Sequence, residues 1–318
     1  MRDGGVQAQG LRTIGAAPER VWSLLSSPAA WSLRPGRFAF DVPEPLPGTG
    51  RLRCVLGTGG QVTSCAVLEL CEQVPGRTVS WQRRDRLPTG NRTYTMSVRP
   101  GPHGTTAGIA VRDVIARGSR ADWTTRWDAK LATWLEALHQ AVEGQRPWPG
   151  ATIPDDVRLA CSARPETAAY GSVSATALIG APLDVVWEAV WSPETSRGLN
   201  PALVAFAGHV PGTSQREVGE MQYCICRNAD GRLTADVHIV SEFAYQRSVL
   251  TQRVGPPPTQ VLHQVAPADG GTRLTLTLRW PEGLLPEDDP GIRLRLAEHL
   301  QQDADGYRAI IEQSARPA

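Results

Sequence analysis

Apolar and polar positions alternate in twos along most of this chain, and two stretches of helical spacing bracket the alternation in each half. A period of two marks strands with one buried face, whereas apolar residues three and four apart mark one face of a helix. Short alternating strands at Leu11–Ile14 and Thr176–Ile179 each run into a helix whose first turn carries Pro18 and Glu19, or Pro182 and Asp184. Proline has no N–H to leave orphaned there, and the acids complement the helix dipole. Both helices are predicted to stop near Ser27-Pro28 and Ser192-Pro193. Roughly six alternating segments follow in each half, separated by Gly, Pro and Asp-Gly turns such as Asp230-Gly231 and Asp269-Gly270. Each half then closes on a longer helix, Asp122–Glu143 in the first and Pro290–Gln313 in the second. Trp123, Trp127, Leu131, Trp134, Leu138 and Val142 form the apolar stripe of the first, and Ile292, Leu296, Leu300 and Tyr307 that of the second.

The two halves are copies of one unit. Ile14-Gly15-Ala16 recurs as Ile179-Gly180-Ala181, an offset of 165 positions. The same register sets Val21-Trp22 on Val186-Trp187 and Ser27-Pro28 on Ser192-Pro193. With small gaps, Gly50–Cys54 aligns with Gly219–Tyr223, and Gly104-Thr105 with Gly271-Thr272. A repeat this long is a whole domain and not a solenoid unit. Between the copies lie Pro147, Pro149, Gly150, Pro154 and Pro165, a density of helix and strand breakers that reads as a connection. The predicted organisation is one domain over 1–146, a linker over 147–168 and a second domain over 169–318. The fold class expected is α+β: two tandem helix-grip domains, each a curved antiparallel sheet wrapped around its long C-terminal helix, with an internal cavity.

A formal net charge of +1 supplies no field to draw nucleic acid or an anionic membrane. No run approaches the roughly 20 apolar residues that span a bilayer, and Met1–Gly10 lacks the apolar core of a signal peptide. A cytoplasmic protein with neither nucleic-acid nor membrane partner is therefore expected, with a homodimer left open. Six cysteines are too sparse to staple a chain of 318 residues. Cys224 and Cys226 share a strand face, but no second pair or nearby histidine completes a metal site, so reduced thiols and no metal are expected.

These residues resemble the START-like, or SRPBCC, superfamily, which includes birch-pollen-allergen-like lipid binders and polyketide cyclases. The resemblance rests on the opening Ile179, Ala181, Pro182, Val186, Trp187, on Ile14, Ala16, Val21 and Trp22 in the first copy, on the late Gly-Thr strand starts, and on the terminal helices. It covers almost the whole chain twice, and tandem copies of this length are similar to di-domain aromatase/cyclases of aromatic polyketide pathways. Such cyclases carry a Ser-x-Arg or Ser-Arg element on a middle strand. Here those stretches read Thr63-Ser64-Cys65-Ala66 and Leu233-Thr234-Ala235-Asp236, without arginine, so aromatisation itself is not implied.

Strand alternation selects side chains expected to face inward. In the first copy these are Leu52, Cys54 and Leu56, then Ser64, Ala66 and Leu68, then Trp81 and Arg83, then Tyr94, and finally Asp113. In the second they are Tyr223, Arg253 and His263, with Leu233, Val237 and Ile239 around them; Asp236 and His238 have the opposite parity and are set aside. Arg83 and Arg253 hold equivalent places in the repeat. An inward guanidinium can hold a ketone or enolate oxygen, and His263 can move a proton. Tyr223 can donate to a carbonyl and Asp113 can act as a base. Tyr94, Trp81, Ser64, Trp127 and Tyr307 are the remaining candidates to contact a ligand. Against this stands the structural reading of the same residues, in which strand arginines pair with carboxylates and tryptophans fill the core.

Two functions compete. One is an enzyme without metal or organic cofactor, a cyclase or dehydratase that folds a hydrophobic natural-product intermediate and manages its protons. The other is a carrier or sequestering protein for a hydrophobic metabolite, for instance in self-resistance. A third reading makes one copy a degenerate scaffold for the other. No nucleotide-binding glycine loop or nucleophile elbow is present in the sequence, which argues against dehydrogenase, kinase and hydrolase classes.

Overall fold

The computed structural model describes residues 5–44, 48–59, 62–85, 92–114, 120–147, 153, 169–255, 257–284 and 290–314. The chain divides into two compact units, one built on each of two seven-stranded sheets. The predicted linker lies outside the described residues except for Pro147 and the buried Ile153.

In the first unit the order is β1 (Gly5–Ile14), α1 (Pro18–Ser26), α2 (Ala29–Ser32), β2 (Arg37–Asp41), β3 (Leu52–Gly59), β4 (Val62–Val74), β5 (Thr78–Arg83), β6 (Thr93–Gly101), β7 (Gly104–Val114) and α3 (Arg120–Val142). The sheet runs β1-β7-β6-β5-β4-β3-β2, an antiparallel meander with the first strand closing onto the last. The second unit repeats it with β8 (Tyr170–Ile179), α4 (Leu183–Trp191), α5 (Thr195–Leu199), β9 (Val204–His209), β10 (Met221–Arg227), β11 (Leu233–Ala244), β12 (Ser248–Arg253), β13 (Gln260–Ala268), β14 (Gly271–Pro281) and α6 (Pro290–Ser314). Its sheet order is β8-β14-β13-β12-β11-β10-β9. The opening strands are longer than the alternation at their ends predicts. Paired residue by residue with β7 and β14, they extend back to Gly5 and Tyr170.

The repeated motifs have a mechanical cause. Gly104 and Gly271 start the strand that pairs with the opening one, at φ 121° and 148°. A Cβ there would lie 2.4 Å from the Ile14 carbonyl oxygen, or 2.1 Å from that of Ile179. Only glycine permits both that backbone and that approach. The next residue closes the corner: Thr105 Oγ1 donates to the Ala16 carbonyl at 2.6 Å, and Thr272 Oγ1 to that of Ala181 at 2.8 Å. The glycine between Ile and Ala donates its N–H to a carboxylate of the terminal helix, Gly15 to Glu143 and Gly180 to Glu312. We expect Gly271→Ala to lower unfolding stability by about 2 kcal/mol or more, read as a drop in the urea midpoint at constant slope; an unchanged midpoint would contradict this account of the corner.

α3 packs on β1 and β7, and α6 on β8 and β14. The stripe of α3 is buried throughout, from Trp123 to Val142. In α6 the buried positions are Leu300, Ala304, Tyr307 and Ile311, while Ile292 and Leu296 stay partly exposed, so burial begins later than the sequence stripe predicts.

Candidate functional site

The interiors of the two domains differ, and their shared bonds allow position-by-position comparison. The Gly15–Glu143 and Gly180–Glu312 hydrogen bonds fix the register of the two terminal helices. Counting back from those glutamates, Trp134 corresponds to Asp303, Lys130 to His299 and Trp127 to Leu296. Across the sheets, Trp81 faces Tyr94 where Thr251 faces Val261, and Met96 faces Val79 where His263 faces Val249. Trp31 and Ser196 hold the same place in α2 and α5, each N–H bonding the proline carbonyl three residues earlier.

In the first domain those places are filled. Trp31 lies edge-on to Tyr94 at 4.8 Å between ring centroids and tilted on Trp134 at 5.0 Å, while Trp127 meets Tyr94 at 6.0 Å. The indole N–H of Trp134 donates to the Ala30 carbonyl at 2.6 Å, anchoring α3 to α2. In the second domain, small or polar residues replace three of these indoles, and a cavity of about 260 Å³ stands in their place. It opens between α4, α5, α6 and the sheet. Leu276, Leu278, Leu296, Leu300, Val249 and Val261 give it apolar walls, and Ser196, Gln222, Cys224, His238, Thr251, His263, Asp303 and Tyr307 supply its polar atoms. That mix of apolar walls with a few converging polar groups is what small-molecule sites share, and the volume lies just below their usual range.

His263 is the centre of this group. Its ring stands edge-on to Tyr307, with centroids 6.1 Å apart. Part of the ring faces the cavity, yet Nδ1 is shut off from solvent and has no hydrogen-bond partner. Burial, reinforced by neighbouring His238, pushes the His263 pKa down to about 4. Burial likewise lowers His238, which Asp236 opposes. Both imidazoles are neutral at physiological pH. Burial raises the Cys224 thiol to about 12 and also raises the Tyr307 phenol and the Asp303 carboxyl. The imidazoles, the thiol and the phenol therefore offer a guest neutral donors and acceptors.

Gln222 closes one end. Its amide donates to the Trp191 carbonyl at 3.3 Å and to the fully buried Glu220 at 2.9 Å. Glu220 also holds His209 Nδ1 at 2.7 Å, a bond that raises the His209 pKa. The corresponding residue of the first domain, Arg53, is fully buried, lies 4.2 Å from the Trp81 ring, and donates to the Ser26 and Ser27 carbonyls and to Asp41.

Of the residues proposed from the sequence, His263 and Tyr307 line the cavity. Arg83 and Arg253 do occupy equivalent ladder positions, but both are engaged: Arg83 pairs bidentately with Asp85 at 2.6 Å, and Arg253 pairs with Asp236 and is absent from the lining. A guanidinium in a poorly solvated place recruits a carboxylate. Asp113 is likewise held, accepting from Arg92 at 2.9 and 2.5 Å. Tyr223 lies on the other face of β10, buried and stacked on Phe206 at 5.8 Å. Trp81, Tyr94 and Trp127 are core in the first domain, and Ser64 is exposed.

Parity failed on three strands. On β3, β10 and β11 both faces are withdrawn from solvent, so alternation does not say which face looks inward. Leu52, Cys54 and Leu56 are buried away from the core cluster that Val55 joins, and Val237 and Ile239 are buried opposite the cavity-lining His238. His238, Cys224 and Gln222 were thus missed, and the signal for them was polarity on a strand whose other face is mostly apolar.

Residues 6–145 match the family model described as polyketide cyclase / dehydrase and lipid transport. That span is the first copy, and for that copy it bears out the START-like resemblance read from the sequence. Solved structures similar to the chain include the di-domain ARO/CYC BexL from the BE-7585A biosynthetic pathway, at 15% identity and TM-score 0.36, covering 98% of this chain and 99% of that one. The di-domain ARO/CYC StfQ from the steffimycin biosynthetic pathway is similar at 10% identity and TM-score 0.37, with 96% and 99% covered. No curated protein sequence matches the chain. Among the described residues no helix is long and apolar enough to cross a membrane, and no cluster of His, Cys, Asp or Glu is arranged to hold a metal.

Proposed function

We propose that this protein is a cofactor-independent cyclase or dehydratase acting on a bulky, mostly apolar, carbonyl-bearing intermediate, and that the chemistry takes place in the second domain, in the cytoplasm. In this reading each sheet grips its terminal helix, and the space between sheet and α6 is the reaction chamber. The observation that carries it is the neutral imidazole of His263 in the wall of an apolar cavity, beside Tyr307 and His238. A neutral ring there can donate or accept a hydrogen bond with a guest oxygen and can take up a proton. The family match of the first domain supports the class of chemistry.

The chamber suits an aldol-type ring closure followed by loss of water. A C–H between two carbonyls gives its proton to a neutral imidazole, and the carbanion adds to the carbon of a third carbonyl further along the chain. The resulting alkoxide takes that proton back; the hydroxyl then leaves as water, carrying a second proton that the imidazole removes from the same carbon as the C=C bond forms. His263, with Tyr307 and His238 beside it, manages these protons, while the leucine and valine walls hold the chain folded so that the reacting carbons meet. With Arg253 engaged by Asp236, oxyanion stabilisation falls to the imidazole and phenol hydrogen bonds.

The carrier reading keeps one observation in its favour, the absence of a formal positive charge on either imidazole at neutral pH. The two are separated by loading the protein with an aryl-substituted linear triketone, extracting the ligand and weighing it. Catalysis predicts recovery of a cyclised product lacking one water, formed faster than in buffer. Recovery of unchanged triketone from a saturated protein would reject the enzyme reading in favour of the carrier.

A further inference from the structure

We propose that the first domain carries a separate oxyanion-binding site, formed by Arg34 and Lys130 beside the Trp127 ring with Arg37 neighbouring Arg34, for a ligand bearing a carboxylate or a phosphate monoester. The Arg34 guanidinium lies 5.0 Å from the Trp134 ring centroid and 6.0 Å from that of Trp127. Arg92 and Lys130 approach the same Trp127 ring at 5.0 and 5.3 Å. Several cations thus converge on one indole, which steadies them but neutralises none.

The charge account is lopsided. Asp85 pairs with Arg83 and Asp113 with Arg92. Arg34, Arg37 and Lys130 have no carboxylate partner among the described residues. Burial above all pulls the pKa of all three below its ordinary value; Tyr94 opposes it for the two arginines, and neighbouring guanidiniums add to it. A bound anion removes the repulsion among these cations, and a guanidinium offers a fork of N–H donors to two of its oxygens.

The excess is not a by-product of the shared fold. In the second domain Leu199 stands where the repeat places Arg34, and His299 where Lys130 stands on the helix. Thr259 takes the place of Arg92, each giving its carbonyl to the paired strand arginine. The two copies have diverged in opposite senses, one toward a neutral cavity and the other toward a filled core with a cationic rim.

Calorimetric titration with naphthoate, naphthyl phosphate and neutral naphthol tests this. Saturable binding of at least one anion is expected, with affinity falling as salt rises and naphthol binding at least tenfold more weakly at this site. The double variant Arg34→Leu, Arg37→Ala is expected to lose at least tenfold in anion affinity, and Lys130→Ala, on an exposed helix position, about threefold. Which anion binds more tightly identifies the source of the oxyanion. Wild-type affinity in both variants, or no saturable binding of either anion to the wild type, would overturn the proposal. Thr251→Trp, which fills the second-domain cavity, is expected to leave anion binding intact; its loss there would overturn the proposal by placing the anion in the other site.

Discussion

Thr251→Trp is expected to abolish ligand uptake by the second domain, weakening affinity for a hydrophobic carbonyl ligand at least about a hundredfold, or ~2.7 kcal/mol, with the domain still folded. The first domain has already made this substitution. Trp81 occupies the same ladder position and is buried, packed beside Tyr94 on the neighbouring strand. In the second domain the partner is Val261, and the indole has open space to enter. Overpacking a full core is destabilising by about 1–3 kcal/mol, but here the new ring displaces cavity, so the melting temperature is expected to hold or rise. Ser196→Trp, which copies Trp31, is expected to act the same way from the opposite wall. Calorimetry on both variants decides it, and undiminished affinity in both would place the ligand elsewhere.

His263→Met, again a residue borrowed from the first domain, is expected to lower turnover by about 10²–10⁴-fold while ligand affinity changes less than tenfold. It also has a signature in the absence of ligand. The His263 pKa falls from its ordinary 6.5 to about 4 on folding. Between those values the unfolded chain binds a proton that the folded protein refuses. The stability that the neutral ring contributes is therefore whole above about pH 6.5 and lost progressively as the pH falls toward about 4. The full loss is about 3 kcal/mol at ~1.36 kcal/mol per unit. Methionine does not titrate, so urea midpoints of the variant are expected to stay flatter across that window than those of the wild type. Equal slopes in the two proteins would mean that His263 is not held neutral by burial.

Much of the fold was legible because it rests on local rules. The offset identities mark real corners: Gly104 and Gly271 are required by backbone and approach, and Thr105 and Thr272 bond the alanine of the Ile-Gly-Ala motif. The terminal helices fall within about two residues of their predicted ends, as is usual where an apolar stripe meets no strong cap. The site was legible only in part. His263 and Tyr307 were reached because each is a polar or aromatic residue in an apolar row. His238 was set aside because parity was judged by the more apolar face, and on β11 that face is buried opposite the cavity. Arg253 was favoured because its equivalence with Arg83 is genuine, but position does not reveal that Asp236 neutralises it. The contrast between the copies lay in the sequence all along, in Trp31 against Ser196 and Trp134 against Asp303. It needed the helix register to be read.

A crystal structure of the protein with a bound aryl diketone tests the central claim most directly. The account predicts the ligand between α6 and the second sheet, with an oxygen within hydrogen-bond distance of the His263 ring and nothing among Trp31, Trp81 and Trp134. A ligand seated in that tryptophan core, or one in the second domain that makes no hydrogen bond with the His263 ring, would contradict it.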